Sequence, residues 1–147
     1  MFYLVDTNIL LRFAGPTLAL NPLARSAVQS LYADGHTLWA TPQNFVEFWN
    51  AATRPLARNG FGFAPADAET ELQLIESIFP MLDDSPTVYP EWRRLVVAYG
   101  VSGVKVYDAR LVAFMLAYRI THILTFNTVD FTRYAPEGIV SVDPRTV

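Results

Sequence analysis

The sequence contains no cysteine, which excludes a disulfide framework and any thiolate-bound metal. Its only two histidines, His36 and His122, are too few for a structural zinc centre, and neither has a serine or cysteine nearby to suggest a nucleophilic triad. Both read as structural or surface residues. Charge of one sign is not in excess: 14 acidic and 11 basic side chains leave a net charge of −3, too weak a field to gather a polyanion from a distance. A nucleic acid would have to be met by local basic groups or bound cations. Long hydrophobic runs are also missing. Asp6 interrupts the first apolar stretch, and "ARLVAFMLAY" at 109–118 falls short of a bilayer span. Together with the lack of a basic leader, this predicts a soluble, cytoplasmic protein with no membrane partner. Gly60, Gly62 and Gly103 form no phosphate-cradling loop, and no repeat or low-complexity tract is present.

Apolar side chains are abundant: 52% of the 147 residues are hydrophobic, enough for one domain over 1–147 with a substantial core. Short β-favouring runs alternate with helical patterns. "FYLV" at 2–5 predicts the first strand, followed by a short helix from Asn8 to Phe13 that Gly15-Pro16 stops. Asn21-Pro22 starts a second helix with Leu23, Ala27, Val28 and Leu31 on one face, and Asp34-Gly35 turns the chain into "TLWA" at 37–40. Thr41-Pro42 has the cap and first-turn form of a helix carrying "QNFVEFWNAAT". A Gly- and Pro-containing loop spans 54–65. Helices are then expected over Asp67 to Phe79, over "PEWRRLVVAYGV" and over Asp108 to Tyr118, with strands "HILTF" at 122–126 and, at an edge, "GIVSVD" at 138–143. "PMLDDSP" reads as a weak strand or turn.

That order predicts an α/β fold with a mostly parallel central sheet flanked by helices. Ligands of such sheets collect at the carboxyl ends of the strands. Asp6 directly follows the first strand, and Asp130 lies just beyond "HILTF". Glu47 falls on the helix after the second strand, and Asp108 opens a helix before a later one. Each acid also has a structural explanation. Asp6 and Asp108 suit helix N-caps, Asp130 suits a turn, and Glu47 could reach solvent or a neighbouring arginine from among the apolar groups of "NFVEFWNAA". As a set they would repel one another, and a hard divalent cation is the natural compensation.

"VDTNILL", "FVEFWNAAT", "VKVYDARLVAFML" and "ILTFNTVDFTRY", in this order, resemble the motifs of PIN-domain ribonucleases, especially the VapC-type toxins of toxin–antitoxin systems. The resemblance runs from Met1 to about Val142 and is least specific over 54–102. It implies a metal-dependent endoribonuclease in which Asp6, Glu47, Asp108 and Asp130 are catalytic and hold Mg²⁺ or Mn²⁺, leaving a 5′-phosphate and a 3′-hydroxyl. Thr7, Asn8 and Asn127 would support the acids. Tyr107 departs from the histidine that many relatives carry before the third acid.

Setting the four acids aside leaves the chain at +1, so the site accounts for the acidic excess. Lys105, Arg110, Arg12 and Arg133 neighbour the acid motifs and are candidates for holding the RNA backbone. The resemblance further implies a homodimer restrained by a VapB-type antitoxin. Apolar residues around Phe45, Phe48 and Trp49, or around Trp92 and Tyr99, are candidates for the antitoxin's seat. Tyr99, Tyr107, Phe61 and Phe63 are equally candidates for base contacts or packing. The competing class is a PIN-fold nucleic-acid-binding or protein-assembly module with weak catalysis. An aspartate-based phosphatase is disfavoured, because "DTN" lacks the second early aspartate of the D-x-D pattern.

Overall fold

The computed structural model describes all 147 residues, Met1–Val147. Four strands, β1 (Phe2–Val5), β2 (Thr37–Trp39), β3 (His122–Leu124) and β4 (Val140–Val142), form one sheet in the order β2-β1-β3-β4 with every pairing parallel. A bridge from Ala40 to Met81 extends it beyond β2, accounting for the weak strand signal in "PMLDDSP". Six helices surround the sheet: α1 (Thr7–Ala14), α2 (Asn21–Ala33), α3 (Pro42–Thr53), α4 (Pro65–Ile78), α5 (Val88–Ala98) and α6 (Lys105–Tyr118).

Strand pleating divides the core. Tyr3 and Val5 point to one face with Leu38 and Leu124, where α1 to α4 supply Ile9, Leu10, Val28, Phe45, Phe48 and Ile75. Leu4 and Ile123 point to the other, where α5, α6 and the segment after β3 supply Leu95, Phe114, Phe131 and Tyr134. Fully buried side chains such as Phe48 and Phe114 each contribute roughly 1.5–3 kcal/mol by leaving water. The sheet is thus a rigid platform covered on both sides, and its strand ends are well-fixed points.

Local chemistry sets the helix starts. Thr41 and Asn44 form a reciprocal capping box at α3, with Pro42 in the first turn. Helix α6 is buried at Ala109 and from Leu111 to Met115, as its nearly uninterrupted apolar sequence predicts.

Several expectations are corrected. Helix α6 begins at Lys105, so Asp108 sits in its first turn instead of capping it; Val104 is the N-cap and no side chain caps the end. Ala24, not Leu23, joins Ala27, Val28 and Leu31 on the buried face of α2. The loop over 54–65 contains a short 3₁₀ turn, Leu56–Arg58. Phe45 and Phe48 are core residues and offer no surface to a partner. Trp92 and Tyr99 pack partly buried against the other core, with Trp92 Nε1 donating to the Val106 carbonyl and Tyr99 Oη to Glu137 Oε2.

Candidate active site

The chain passes from β1 to β2 on one side and later to β3 on the other, so the sheet reverses direction of growth between β1 and β3. At that switch point the carboxyl ends of two adjacent strands carry Asp6 and Thr125. The Asp6 backbone N–H still donates to the Leu124 carbonyl at 3.0 Å, which locks the residue to the sheet just before the chain turns into α1.

Asp6 is only 8% exposed, and both carboxylate oxygens are engaged. Oδ1 accepts from the Thr7 backbone N–H at 2.8 Å, so Asp6 does serve as the N-cap of α1. Oδ2 accepts from Thr125 Oγ1 at 2.8 Å and from Asn8 Nδ2 at 3.3 Å. Capping and a place at the strand end are compatible, because they use different oxygens.

Glu47 reaches the same rim from α3. Thr7 Oγ1 donates to its Oε2 at 2.7 Å, and Gln43 Nε2 donates to its Oε1 at 2.7 Å. Thr7 is itself held by Asn44 Nδ2 at 3.1 Å, which links Glu47 to the α3 cap. Asp108 projects from the first turn of α6, and Asp130 from the 3₁₀ turn Thr128–Asp130 after β3. Lys105 Nζ lies between these two, 2.8 Å from Asp130 Oδ1 and 3.9 Å from Asp108 Oδ2.

The electrostatics show that the four acids share one neighbourhood. Burial, reinforced by the charges of Asp108 and Glu47, pushes Asp6 up to about 7 against the lowering effect of the Thr125 and Thr7 hydrogen bonds. Burial and the charges of Asp130 and Glu47 push Asp108 up to about 6, with Lys105 opposing. Asp108 thus raises Asp6 and is itself raised by Asp130 and Glu47. No three of them converge closely enough to cage a cation as they stand. Glu47 is hydrogen-bonded by Thr7 and Gln43, and Asp130 is paired with Lys105. The donor set nonetheless suits a hard divalent ion: it is all oxygen, mutually repulsive, and already drawn to the positive charge of Lys105.

Among the supporting residues, Thr7 and Asn8 both touch the acids or their partners. Asn8 bridges Asp6 and Thr125 through Nδ2 and accepts from the Phe126 N–H through Oδ1. Asn127 acts through its backbone, donating to Thr125 Oγ1 and accepting from the Asp130 N–H. Of the cations, Lys105 is at the acids and Arg133 is close enough to repel it, while Arg133 Nη2 donates to the Tyr99 carbonyl. Arg110 pairs with Asp84 at 3.2 Å and lines a cavity of about 340 Å³ beside Glu47, together with Pro42, Val46 and Tyr107. Arg12 lies in the last turn of α1, away from Asp6, and makes no ion pair or hydrogen bond with the acids through its side chain.

Two buried polar residues escaped the sequence reading. Thr125 is the hydroxyl at the end of an otherwise apolar strand, and that contrast was its available signal. Gln43 sits in the first turn of α3, one helical turn before Glu47, and only the tertiary contacts distinguish it from an ordinary helix glutamine.

Comparison with known proteins places the fold. VapBC2 from Rickettsia felis, solved bound to a DNA fragment from their promoter, superposes with a TM-score of 0.71 at 14% identity, covering 97% of this chain and 98% of that one. A toxin–antitoxin complex from Klebsiella pneumoniae gives 0.63 at 21% identity, with 97% of each chain covered. VapC20 from Mycobacterium tuberculosis, described as a sarcin-ricin loop cleaving toxin, gives 0.66 at 14% identity, covering 97% of this chain and 98% of that one. At such identities the likeness is one of fold. No curated protein matches the sequence. The PIN-domain family model matches residues 3–136, nearly the whole chain, and the protein belongs to the PIN-domain family.

Proposed function

We propose that the chain, acting as one nuclease unit over residues 1–147, is a metal-dependent endoribonuclease and the toxin of a VapBC-type pair. The observation that carries this reading is the meeting at one sheet rim of Asp6, Glu47, Asp108 and Asp130, four acids from separate parts of the sequence whose charges act on one another. Solved structures of similar fold described as a toxin–antitoxin complex and as a sarcin-ricin loop cleaving toxin support the biological setting.

In this reading the four carboxylates would hold Mg²⁺ or Mn²⁺. An ion held there would supply Lewis acidity toward the phosphate and make water a better nucleophile. The chain's own residues do the rest. Asp6 is held still by Thr125, Asn8 and the Thr7 N–H, and Thr7 and Gln43 orient Glu47. Lys105 and Arg133 attract the RNA backbone to the rim, with Arg110 on the wall of the neighbouring cavity. Arg12, in the last turn of α1, is the remaining candidate for an RNA-backbone contact. Asn127 shapes the loop that presents Asp130.

The partners are RNA, a second copy in a homodimer, and an antitoxin acting in the cytoplasm. For the antitoxin, the apolar groove of about 400 Å³ lined by Leu18, Leu56, Phe61 and Phe63 offers a seat, whereas Phe45 and Phe48 are buried in the core and Trp49, Trp92 and Tyr99 are only partly exposed. No helix is long and apolar enough to cross a membrane.

A second reading, a PIN-fold nucleic-acid-binding or assembly module with weak catalysis, is favoured by the lack of any three carboxylates already close enough to cage an ion. Incubating total RNA with purified protein and Mn²⁺ separates the two, with EDTA and Asp6→Asn as controls and the new ends mapped. Cleavage that needs Mn²⁺ and Asp6 supports the nuclease. Intact RNA under all conditions, or equal cleavage by the variant, overturns it.

A further inference from the structure

Gln43 is a buried polar side chain whose contacts exceed what helix formation requires. It is 9% exposed, and its amide has three partners. Nε2 donates to Glu47 Oε1 at 2.7 Å and to the Tyr107 backbone carbonyl at 2.9 Å, while Oε1 accepts from Arg110 Nη1 at 3.1 Å. These partners dictate the sense of the amide. Two can only accept and the third can only donate, so a flipped amide would face its NH₂ toward a guanidinium and its oxygen toward a carboxylate.

Two of the three contacts lie on α6, immediately before and two residues after Asp108. One side chain therefore ties the acid of α3 to the helix that carries Asp108. With Thr7 on Oε2 and Gln43 on Oε1, the Glu47 carboxylate is gripped from two different elements, and its plane is fixed. The same amide steadies Arg110, whose other polar partner, Asp84, is solvent-exposed and easily exchanged for a phosphate.

We propose that Gln43 is a positioning residue of the site, aiming the Glu47 carboxylate at the cation and the Arg110 guanidinium at RNA in the adjoining cavity. This rests on the metal-dependent ribonuclease reading. Partners that orient metal ligands typically account for 10–100-fold in metal affinity, and Gln43 has the contacts of such a partner.

The test uses the full chain and measures Mn²⁺ affinity by calorimetry, the thermal midpoint, and KM for RNA. Gln43→Met keeps the side-chain length but removes the donor and the acceptor. It is expected to weaken Mn²⁺ binding by about 10-fold or more and to raise KM. In a Glu47→Gln background, where no carboxylate remains to be aimed, the same change should alter Mn²⁺ affinity by less than about 2-fold. A purely structural glutamine would lower affinity by the same factor in both backgrounds. That result, or unchanged affinity in Gln43→Met, overturns the inference. If Gln43→Met does not fold, Gln43→Asn withdraws the same amide by one methylene and must show the same pattern. Wild-type protein that binds no Mn²⁺ would instead overturn the metal-nuclease reading, and this inference with it.

Discussion

Thr125 Oγ1 donates to Asp6 Oδ2 at 2.8 Å, joining residues 119 positions apart at the ends of neighbouring parallel strands. The bond stabilises the ionised form of a carboxylate that burial otherwise opposes. It thereby makes an anion tolerable at the one rim of the sheet where the other acids arrive.

Replacing Thr125 with Val keeps the shape and removes this donor. A hydrogen bond to a charged group contributes about 1.5–3 kcal/mol, so Thr125→Val should lose that much stability at pH 8, where Asp6 is largely ionised, and less at pH 5. Denaturant unfolding at the two pH values checks it. Equal losses would mean that Thr125 matters only for packing.

Asp6 and Asp108 titrate higher in the folded chain than their ordinary value of 3.8, at about 7 and about 6. Between about pH 4 and pH 7 the folded state therefore binds more protons than the unfolded state, and stability falls as pH rises through that window. For Asp6 the displacement of roughly three units corresponds to an upper limit of about 4 kcal/mol. In EDTA, Asp6→Asn should melt higher than wild type at pH 8 and lose that advantage at pH 5. A gain independent of pH would show that Asp6 is not destabilised by its charge.

Lys105 faces two acids and lies at the surface near Arg133. Lys105→Ala should raise KM for RNA and reduce the steepness of its salt dependence by about 0.7 in the log–log slope, the value for one single-strand phosphate contact. It should also tighten Mn²⁺ binding, since Lys105 competes for Asp130. An unchanged salt slope would remove Lys105 from the RNA contacts.

Glu137 offers a contrast away from the site. Arg94 and Tyr99 hold it below the usual carboxylate range, so its contribution is present above its ordinary value and fades as pH falls through its folded one. Arg94 is half exposed, which limits the pair to about 1 kcal/mol or less. Glu137→Gln should therefore cost little stability and leave Mn²⁺ affinity at the wild-type level. A marked loss of affinity would show that the ion-pair cluster reaches the acidic rim.

The order of elements, the parallel sheet and the buried character of α6 were legible in the sequence, because pleat, helical period and punctuation by Pro and Gly are local signals. Residues 3–5 alternate between two cores as a doubly covered strand must, and "ARLVAFMLAY" is buried at Ala109 and from Leu111 to Met115. The four acids stood out as candidates for different reasons: Asp6 and Asp130 follow strands, Asp108 lies near a helix start, and Glu47 is a carboxylate among apolar residues within α3. Boundaries were less so: α6 starts a turn before Asp108, since Gly103 and Val104 enter the helix without a side-chain cap to mark the place. Whether Phe45 and Phe48 meet a partner or the core was not legible, because an amphipathic pattern says that they share a face but not whether that face meets core or solvent; both are core residues.

By itself the sequence determined which carboxylates were available, at which strand ends and helix starts, and that no cysteine or histidine set could replace them. Only the tertiary structure decided that Asp6 rests on Thr125, that Gln43 grips Glu47 and Arg110 together, and that Lys105 stands between Asp108 and Asp130. The physical reason is range. Periodicity and capping act over a few residues, whereas hydrogen bonds and charge act over a few ångströms between groups that the chain separates by dozens of positions, and only the packed sheet brings those groups within reach.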